Sequence, residues 1–90
     1  MSDPQSCLNK LRALAAGGAG NPHKAAAKIV EKFAADASKA EYQQLRMRLE
    51  DTLIAGRYTD VSAAYLDQHS RWLAVLEGAC AAAKERRSSR

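Results

Sequence analysis

Apolar residues recur every three or four positions along most of this chain, which is the spacing of amphipathic α-helices. The pattern divides into about four segments, and it continues longest in the last of them, for about six turns. We therefore predict an all-α fold in which a long C-terminal helix forms the spine of a small antiparallel bundle. The predicted helices cover residues 4–16, 22–36, 39–55 and 60–84.

Capping residues and a change of phase place the boundary between the second and third helices. Asn21 followed by Pro22 is a favoured helix start. The apolar stripe of helix two, continued past Ala37, is one position out of step with the stripe of helix three, a rotation of about 100°. Ser38 and Glu41 have the spacing of a capping box. We predict that the helix breaks near these residues.

Boundary residues are also recognisable at the start of helix one, at the end of helix three and at the start of helix four. Pro4 suits the first position of helix one, and Gly56 suits the position just after helix three. Thr59 is placed to cap helix four, with Asp60 in its first turn. The apolar stripe predicted for helix four comprises Val61, Tyr65, His69, Trp72, Leu76, Cys80 and Ala83, with Leu66 and Leu73 beside it.

Composition makes the predicted core thin. Alanine supplies 19 of the 90 residues, whereas Leu, Ile, Val and Phe together supply 15. The net charge is only +4 and alanine favours helices, so we expect thin helices and not a disordered chain. A small domain with so little apolar volume often completes its core by association. We therefore predict a protein partner or a second copy, forming a homodimer.

Positive charge is concentrated at the C-terminus, where the last seven residues carry most of the net charge. We predict one helical domain over residues 1–84 and a flexible basic tail over residues 85–90. A basic tail can bind nucleic acid, although cations also stabilise a helix C-terminus without any ligand. The nucleic-acid candidates are Lys84, Arg86, Arg87 and Arg90.

The cysteines and the absence of a long apolar run bear on the compartment. No run of about 18 apolar residues is present, so a membrane-spanning helix is not predicted. The first residues lack the basic start and apolar stretch of a signal peptide. Cys7 and Cys80 form neither a CxxC pair nor a disulfide framework. We predict a cytoplasmic protein with two reduced thiols; a bridge between them requires the first and last helices to lie side by side.

The sequence has no pattern typical of catalysis, of a cofactor site or of a metal site. Asp67, His69 and Ser70 lie within one helical turn, so they cannot form a catalytic relay. No neighbouring residue visibly lowers the pKa of the Cys7 thiol. We predict that the protein is not an enzyme and holds no cofactor. The residues that could ligate a soft metal, none of them at zinc spacing, are Cys7, His23, His69 and Cys80.

Four residues of the predicted helix-four stripe are candidates for contact with a partner. Trp72 is either the main anchor of the core or a contact hot spot, where Trp is enriched. His69 is either a hydrogen-bonded interface residue or a pH-sensitive contact. We predict a non-enzymatic helical binding protein, namely an adaptor, chaperone or regulator; the alternative is a small nucleic-acid-associated regulator of plasmid, phage or bacterial origin. The partner-contact candidates are Tyr65, His69, Trp72 and Leu76.

The segment from Leu53 to Ser62 resembles the turn between the two helices of ParD-type ribbon-helix-helix antitoxins. The resemblance covers ten of the 90 residues and implies a helix after a glycine-arginine-tyrosine turn. That family also requires an N-terminal β-strand that reads DNA. Residues 34–41 are rich in alanine and poor in β-forming residues, so the chain is not predicted to belong to the family.

Overall fold

Helices account for most of the chain in a computed structural model that describes residues 3–17 and 20–88, with side chains up to residue 84. The predicted all-α fold with a long C-terminal helix is confirmed. No strand occurs among the described residues, so the ribbon of the ParD-type family is missing from them. None of the helices in this part of the chain has the length and apolarity to cross a bilayer. The elements are α1 (Pro4–Gly17), α2 (Pro22–Asp36), α3 (Lys39–Arg57), a 3₁₀ turn (Ala63–Tyr65) and α4 (Leu66–Ser88).

The helix break predicted near Ser38 is confirmed, since α2 ends at Asp36 and α3 begins at Lys39. The Ser38 hydroxyl accepts a hydrogen bond from the Glu41 amide at 3.2 Å. In return, the Ser38 amide donates to the Glu41 carboxylate at 2.8 Å. The first turn of a helix leaves its amides without partners, so these two bonds fix the start of α3.

The start of α4 differs from the prediction. The predicted start is Asp60, whereas α4 begins at Leu66, after the short 3₁₀ turn. The Thr59 hydroxyl donates to the Ala55 carbonyl at 2.6 Å, so Thr59 closes α3 and does not cap α4. The role predicted for Gly56 is also wrong, because this residue lies inside α3. Its missing side chain allows a close approach to α4.

The spine of the bundle is α4. It packs against α1, α2 and α3, most extensively against α2, whereas α2 and α3 make almost no contact with each other. The longest dimension of the molecule is 41 Å, against 25 and 24 Å for the other two, and a helix of 23 residues alone spans about 34 Å. The largest fully buried side chains are Leu11, Val30, Leu45, Leu49, Val75 and Leu76.

Only the second half of the predicted α4 stripe is buried. Leu76, Cys80 and Ala83 belong to the core, while Tyr65 and Leu66 are 60% and 51% exposed. Because three helices surround α4, its buried face is broader than a single stripe. The buried α4 residues that the predicted stripe omits are Val75, Gly78, Ala79 and Ala82.

A close contact between α2 and α4 depends on Gly78. A Cβ atom at this position would lie 2.6 Å from the Cα atom of His23 and 2.8 Å from its carbonyl oxygen. Both distances are shorter than non-bonded atoms tolerate, and the atoms concerned belong to the backbone. Glycine therefore lets the start of α2 lie directly on α4.

Candidate functional site

The four predicted contact residues differ in what a partner could reach, and Tyr65 lies in the 3₁₀ turn that precedes α4. Tyr65 is 60% exposed, His69 and Trp72 are partly buried, and Leu76 is fully buried. Leu76 is therefore a core residue, and no partner can contact it while the bundle stays folded. Among the four, only Tyr65 presents most of its surface to solvent.

His69 joins the first turns of α4 to the end of α3. Its Nε2 atom lies 2.8 Å from the Gly56 carbonyl oxygen, and because a carbonyl only accepts, Nε2 carries the proton and donates. A Cβ atom on Gly56 would lie 2.9 Å from the Leu73 side chain and 3.9 Å from the His69 ring. The geometry gives His69 a role in holding α3 and α4 together.

Trp72 lies at the edge of the core. Its side chain packs against the buried cluster, and the guanidinium carbon of Arg12 lies 5.1 Å from the centre of its ring, within the range of a cation–π contact. The centre of the core is filled by leucines such as Leu11 and Leu45, which are fully buried. Trp72 therefore seals the core where α1 meets α4.

The face of α3 that points away from the core carries a second apolar stripe. Met47, Ile54 and Tyr58 are 65%, 53% and 85% exposed. Met47 and Ile54 are seven positions apart and lie within about 20° of each other around the helix. Tyr58 follows one turn later as the C-cap residue of α3. The buried residues Leu45 and Leu49 lie roughly on the opposite side. We name Met47, Ile54 and Tyr58 the outer stripe.

Charged residues of both signs flank the outer stripe. On the helical projection, Glu50 and Arg57 lie on one side of it, and Arg48 and Asp51 lie on the other. All four residues are exposed. Glu50 is 3.8 Å from Arg46, one turn earlier on α3. An exposed apolar centre with a charged rim has the composition of a protein–protein contact.

The outer stripe is absent from the predicted contact residues, although a helical projection of the third predicted helix reveals it. The apolar residues Leu45, Leu49 and Leu53 already satisfy the stripe expected of a core-facing helix. The remaining apolar residues of α3 then look scattered along the sequence. Projected around the helix, Met47 and Ile54 share one face, opposite the leucines.

Both cysteines are buried free thiols. Burial raises the pKa of Cys7 to about 11. Burial also raises the pKa of Cys80, with a smaller contribution from the negative charge of Glu50. The thiolate is the reactive form of cysteine, so a nucleophilic cysteine needs a lowered pKa. The surroundings of Cys7 favour the unreactive, protonated thiol.

The residues considered for catalysis and for metal binding are not brought together. Asp67 and Ser70 are exposed, while His69 is hydrogen-bonded to Gly56. Over residues 3–17 and 20–84, no three His, Cys, Asp or Glu side chains are placed to hold one metal ion.

The basic tail is described only in part. The helical backbone of α4 continues to Ser88, past the predicted helix end at residue 84, and Lys84 is exposed. The side chains of Arg86 and Arg87, and the whole of Arg90, lie outside the described residues. The predicted contact of this tail with nucleic acid stays a prediction.

No protein-family model matches this chain, and neither a curated protein nor a solved structure matches it. Function is therefore inferred from the exposed surfaces of the chain itself. In the described part of the chain, the outer stripe of α3 combines exposed apolar side chains with a charged rim.

Proposed function

We propose that this chain is a non-enzymatic helical binding protein, acting as an adaptor, chaperone or regulator, and that two copies associate through the outer stripe. The observation that carries the proposal is the exposure of Met47 and Ile54 on one face of α3 and of Tyr58 at its C-cap. Large apolar residues are scarce in this chain. Two of them exposed on one helix face, with a third at the end of the helix, mark a surface that another protein surface covers.

The thin core supports association. The buried cluster contains four alanines and two cysteines beside its leucines and valines. Small side chains remove little apolar area from water, and a domain of this size has little else to stabilise it. Covering the outer stripe with the same stripe of a second copy removes further apolar area from water, so association adds stability that the single chain lacks.

The charges beside the outer stripe favour a second copy as the occupant. A two-fold contact places the same surface patch on both copies. When two α3 helices pack antiparallel, the charged residues on one side of the outer stripe face the same residues of the other copy. Their order along the helix axis is reversed between the two copies. Glu50 of one copy can then lie against Arg57 of the other, because both residues are on the same flank and exposed.

Thermal unfolding at several protein concentrations tests this proposal. The Tm of a dimer rises with concentration, because association stabilises the folded state. The variant Met47→Gln/Ile54→Gln alters only exposed residues and should give a Tm that is independent of concentration. The control Ala35→Gln/Ala81→Gln, on exposed positions of α2 and α4, should behave as the wild type. A wild-type Tm that ignores concentration would contradict the proposal.

A dimer of this kind would present its remaining surfaces to a further partner, either a protein or a nucleic acid. The effect of salt on binding distinguishes these two classes of partner. Capture from the native host followed by mass spectrometry should recover a protein complex that survives high salt. A salt-dependent shift of duplex DNA would instead support a regulator that works through the basic tail. The two buried free thiols suit a reducing compartment, in agreement with a cytoplasmic protein.

A further inference from the structure

A groove of about 330 Å³ runs between α1 and the first turns of α4. It shares no residue with the outer stripe. Its size is at the lower end of the range for ligand sites, so it can take one or two side chains of a partner and not a large ligand. The residues that line it are Arg12, Ala15, Ala16, Gln68, Arg71 and Trp72.

Two positive charges beside the groove have no acidic partner in the described part of the chain. Arg12 and Arg71 are exposed, and neither has a carboxylate within 4.0 Å among the described residues. Asp67 lies one turn before Arg71 on α4 without forming an ion pair at that distance. Two like charges on the rim of one groove attract an anion.

Trp72 positions one of these charges. The Arg12 guanidinium lies over its ring, with 5.1 Å between the guanidinium carbon and the ring centre. A cation–π contact of this kind uses none of the N–H donors of the guanidinium. Arg12 is thereby held beside the groove while its donors stay available, which reduces the ordering that a ligand must impose.

We propose that this groove binds an acidic segment of a partner protein through its side-chain carboxylates. The planar guanidinium groups of Arg12 and Arg71 match a carboxylate, with which each can form two parallel hydrogen bonds. Ala15 and Ala16 leave room for the methylene groups of a glutamate side chain. The Gln68 amide provides both a donor and an acceptor for the peptide backbone.

The geometry around Trp72 favours an acidic peptide over single-stranded nucleic acid. Sequence-tolerant binding of nucleic acid relies on bases that stack on free aromatic faces. Arg12 lies over the Trp72 ring, and the side chain also packs against the core. Arg12 therefore competes with a base for the ring, whereas a carboxylate needs only the guanidinium groups.

Titration of the full chain with a short blocked peptide of Glu and Ala tests the proposal, with Trp72 fluorescence and the indole N–H resonance as readouts. Because the peptide ends are blocked, only side-chain carboxylates are available to bind. We expect a saturable change with this peptide and none with the same peptide carrying Gln for Glu. Arg12→Gln and Arg71→Gln should each weaken binding about tenfold.

Three controls separate specific binding from general attraction and from misfolding. Lys32→Gln removes the same charge from an exposed position of α2 and should change the affinity less than about twofold. Arg12→Lys keeps the charge and should retain part of the affinity that Arg12→Gln loses. The outer-stripe variant Met47→Gln/Ile54→Gln should bind the peptide with the affinity of the wild type. Peptide binding by the groove is therefore tested independently of dimer formation.

Several results would overturn the proposal. One is the absence of a saturable change up to about 1 mM peptide. Another is an equal response to the Gln peptide, and a third is an equal loss of affinity in Lys32→Gln, which would indicate diffuse attraction to a basic protein. A single-stranded oligonucleotide that shifts the Trp72 resonance at lower concentration than the peptide would assign the groove to nucleic acid instead.

Discussion

Single residues decide how closely the helices of this bundle approach one another. A Cβ atom on Gly78 would meet the backbone of His23, whereas on Gly56 it would meet the movable end of the Leu73 side chain. On Gly17 it would find nothing within 4 Å. All three glycines belong to helices, Gly17 as the last residue of α1, and they differ in what surrounds them.

We predict that Gly78→Ala destabilises the protein by about 1–3 kcal/mol, because α2 and α4 must move apart to admit the methyl group. Gly17→Ala is the matched control and should be neutral or stabilising by up to about 1 kcal/mol, since alanine restricts the unfolded chain. Urea unfolding followed by circular dichroism gives both values. An unchanged midpoint for Gly78→Ala would show that α2 does not lie directly on α4.

The buried thiol of Cys7 predicts a loss of stability in alkali. Its folded pKa is raised from 9.0 to about 11 by burial, so between these values the unfolded chain releases a proton that the folded protein retains. The free energy of unfolding is therefore unaffected by this group below about pH 9 and falls as the pH rises towards about 11. Cys7→Ala should remove this part of the pH dependence.

Urea unfolding of the wild type and of Cys7→Ala at about pH 8 and about pH 10.5 measures this difference. The wild type should lose more stability between the two pH values than the variant does. Tyrosine and lysine residues titrate in both proteins, so their contribution cancels in the comparison. Equal losses in the two proteins would mean that the Cys7 thiol is not held protonated by burial.

These residue-scale contacts join residues that are distant in the sequence, so the local pattern of apolar residues does not predict them. His23 and Gly78 lie on different predicted helices, and the residues around each of them do not indicate that the two backbones are in contact. The outer stripe is different, because Met47 and Ile54 lie on one helix. Its alignment follows from helical geometry alone.

At the scale of helices, the sequence predicted the boundaries that local hydrogen bonds decide. The side chains of Asn21 and Ser38 each accept a hydrogen bond from an amide three positions later, and α2 and α3 begin as predicted. The position of Thr59 in the sequence is compatible with two roles, closing α3 or capping α4. The contact of His69 with Gly56 draws the end of α3 onto α4, and that packing cannot be read from local sequence.

The capping box predicts the effect of a substitution at Ser38. Ser38→Ala removes the side-chain acceptor of the Glu41 amide and should lower the free energy of unfolding by about 1 kcal/mol. Ser70 is an exposed residue inside α4, so Ser70→Ala should change stability by less than about 0.5 kcal/mol. Urea unfolding compares the two variants. An equally small change in both would show that the cap does not hold α3 in place.

At the scale of the whole molecule, α1, α2 and α3 all pack on the long helix α4, and they contact one another less than they contact α4. The helical periodicity of apolar residues predicted the all-α fold. The composition predicted a thin core, because alanine-rich helices contain few large apolar residues. The sequence pattern favoured the last predicted helix as the contact surface. Packing buries Leu76 and leaves Met47 and Ile54 of α3 exposed, so the uncovered face depends on how the helices are arranged around α4.

Sedimentation equilibrium is the most direct test of whether the outer stripe joins two copies. Between about 1 and about 200 µM, we predict that the apparent mass of the wild type rises towards twice the 9.7 kDa of the chain. Met47→Gln/Ile54→Gln should remain at the monomer mass, while Ala35→Gln/Ala81→Gln should follow the wild type. A folded wild-type protein that stays at 9.7 kDa over this whole range, like the outer-stripe variant, would contradict the proposed dimer.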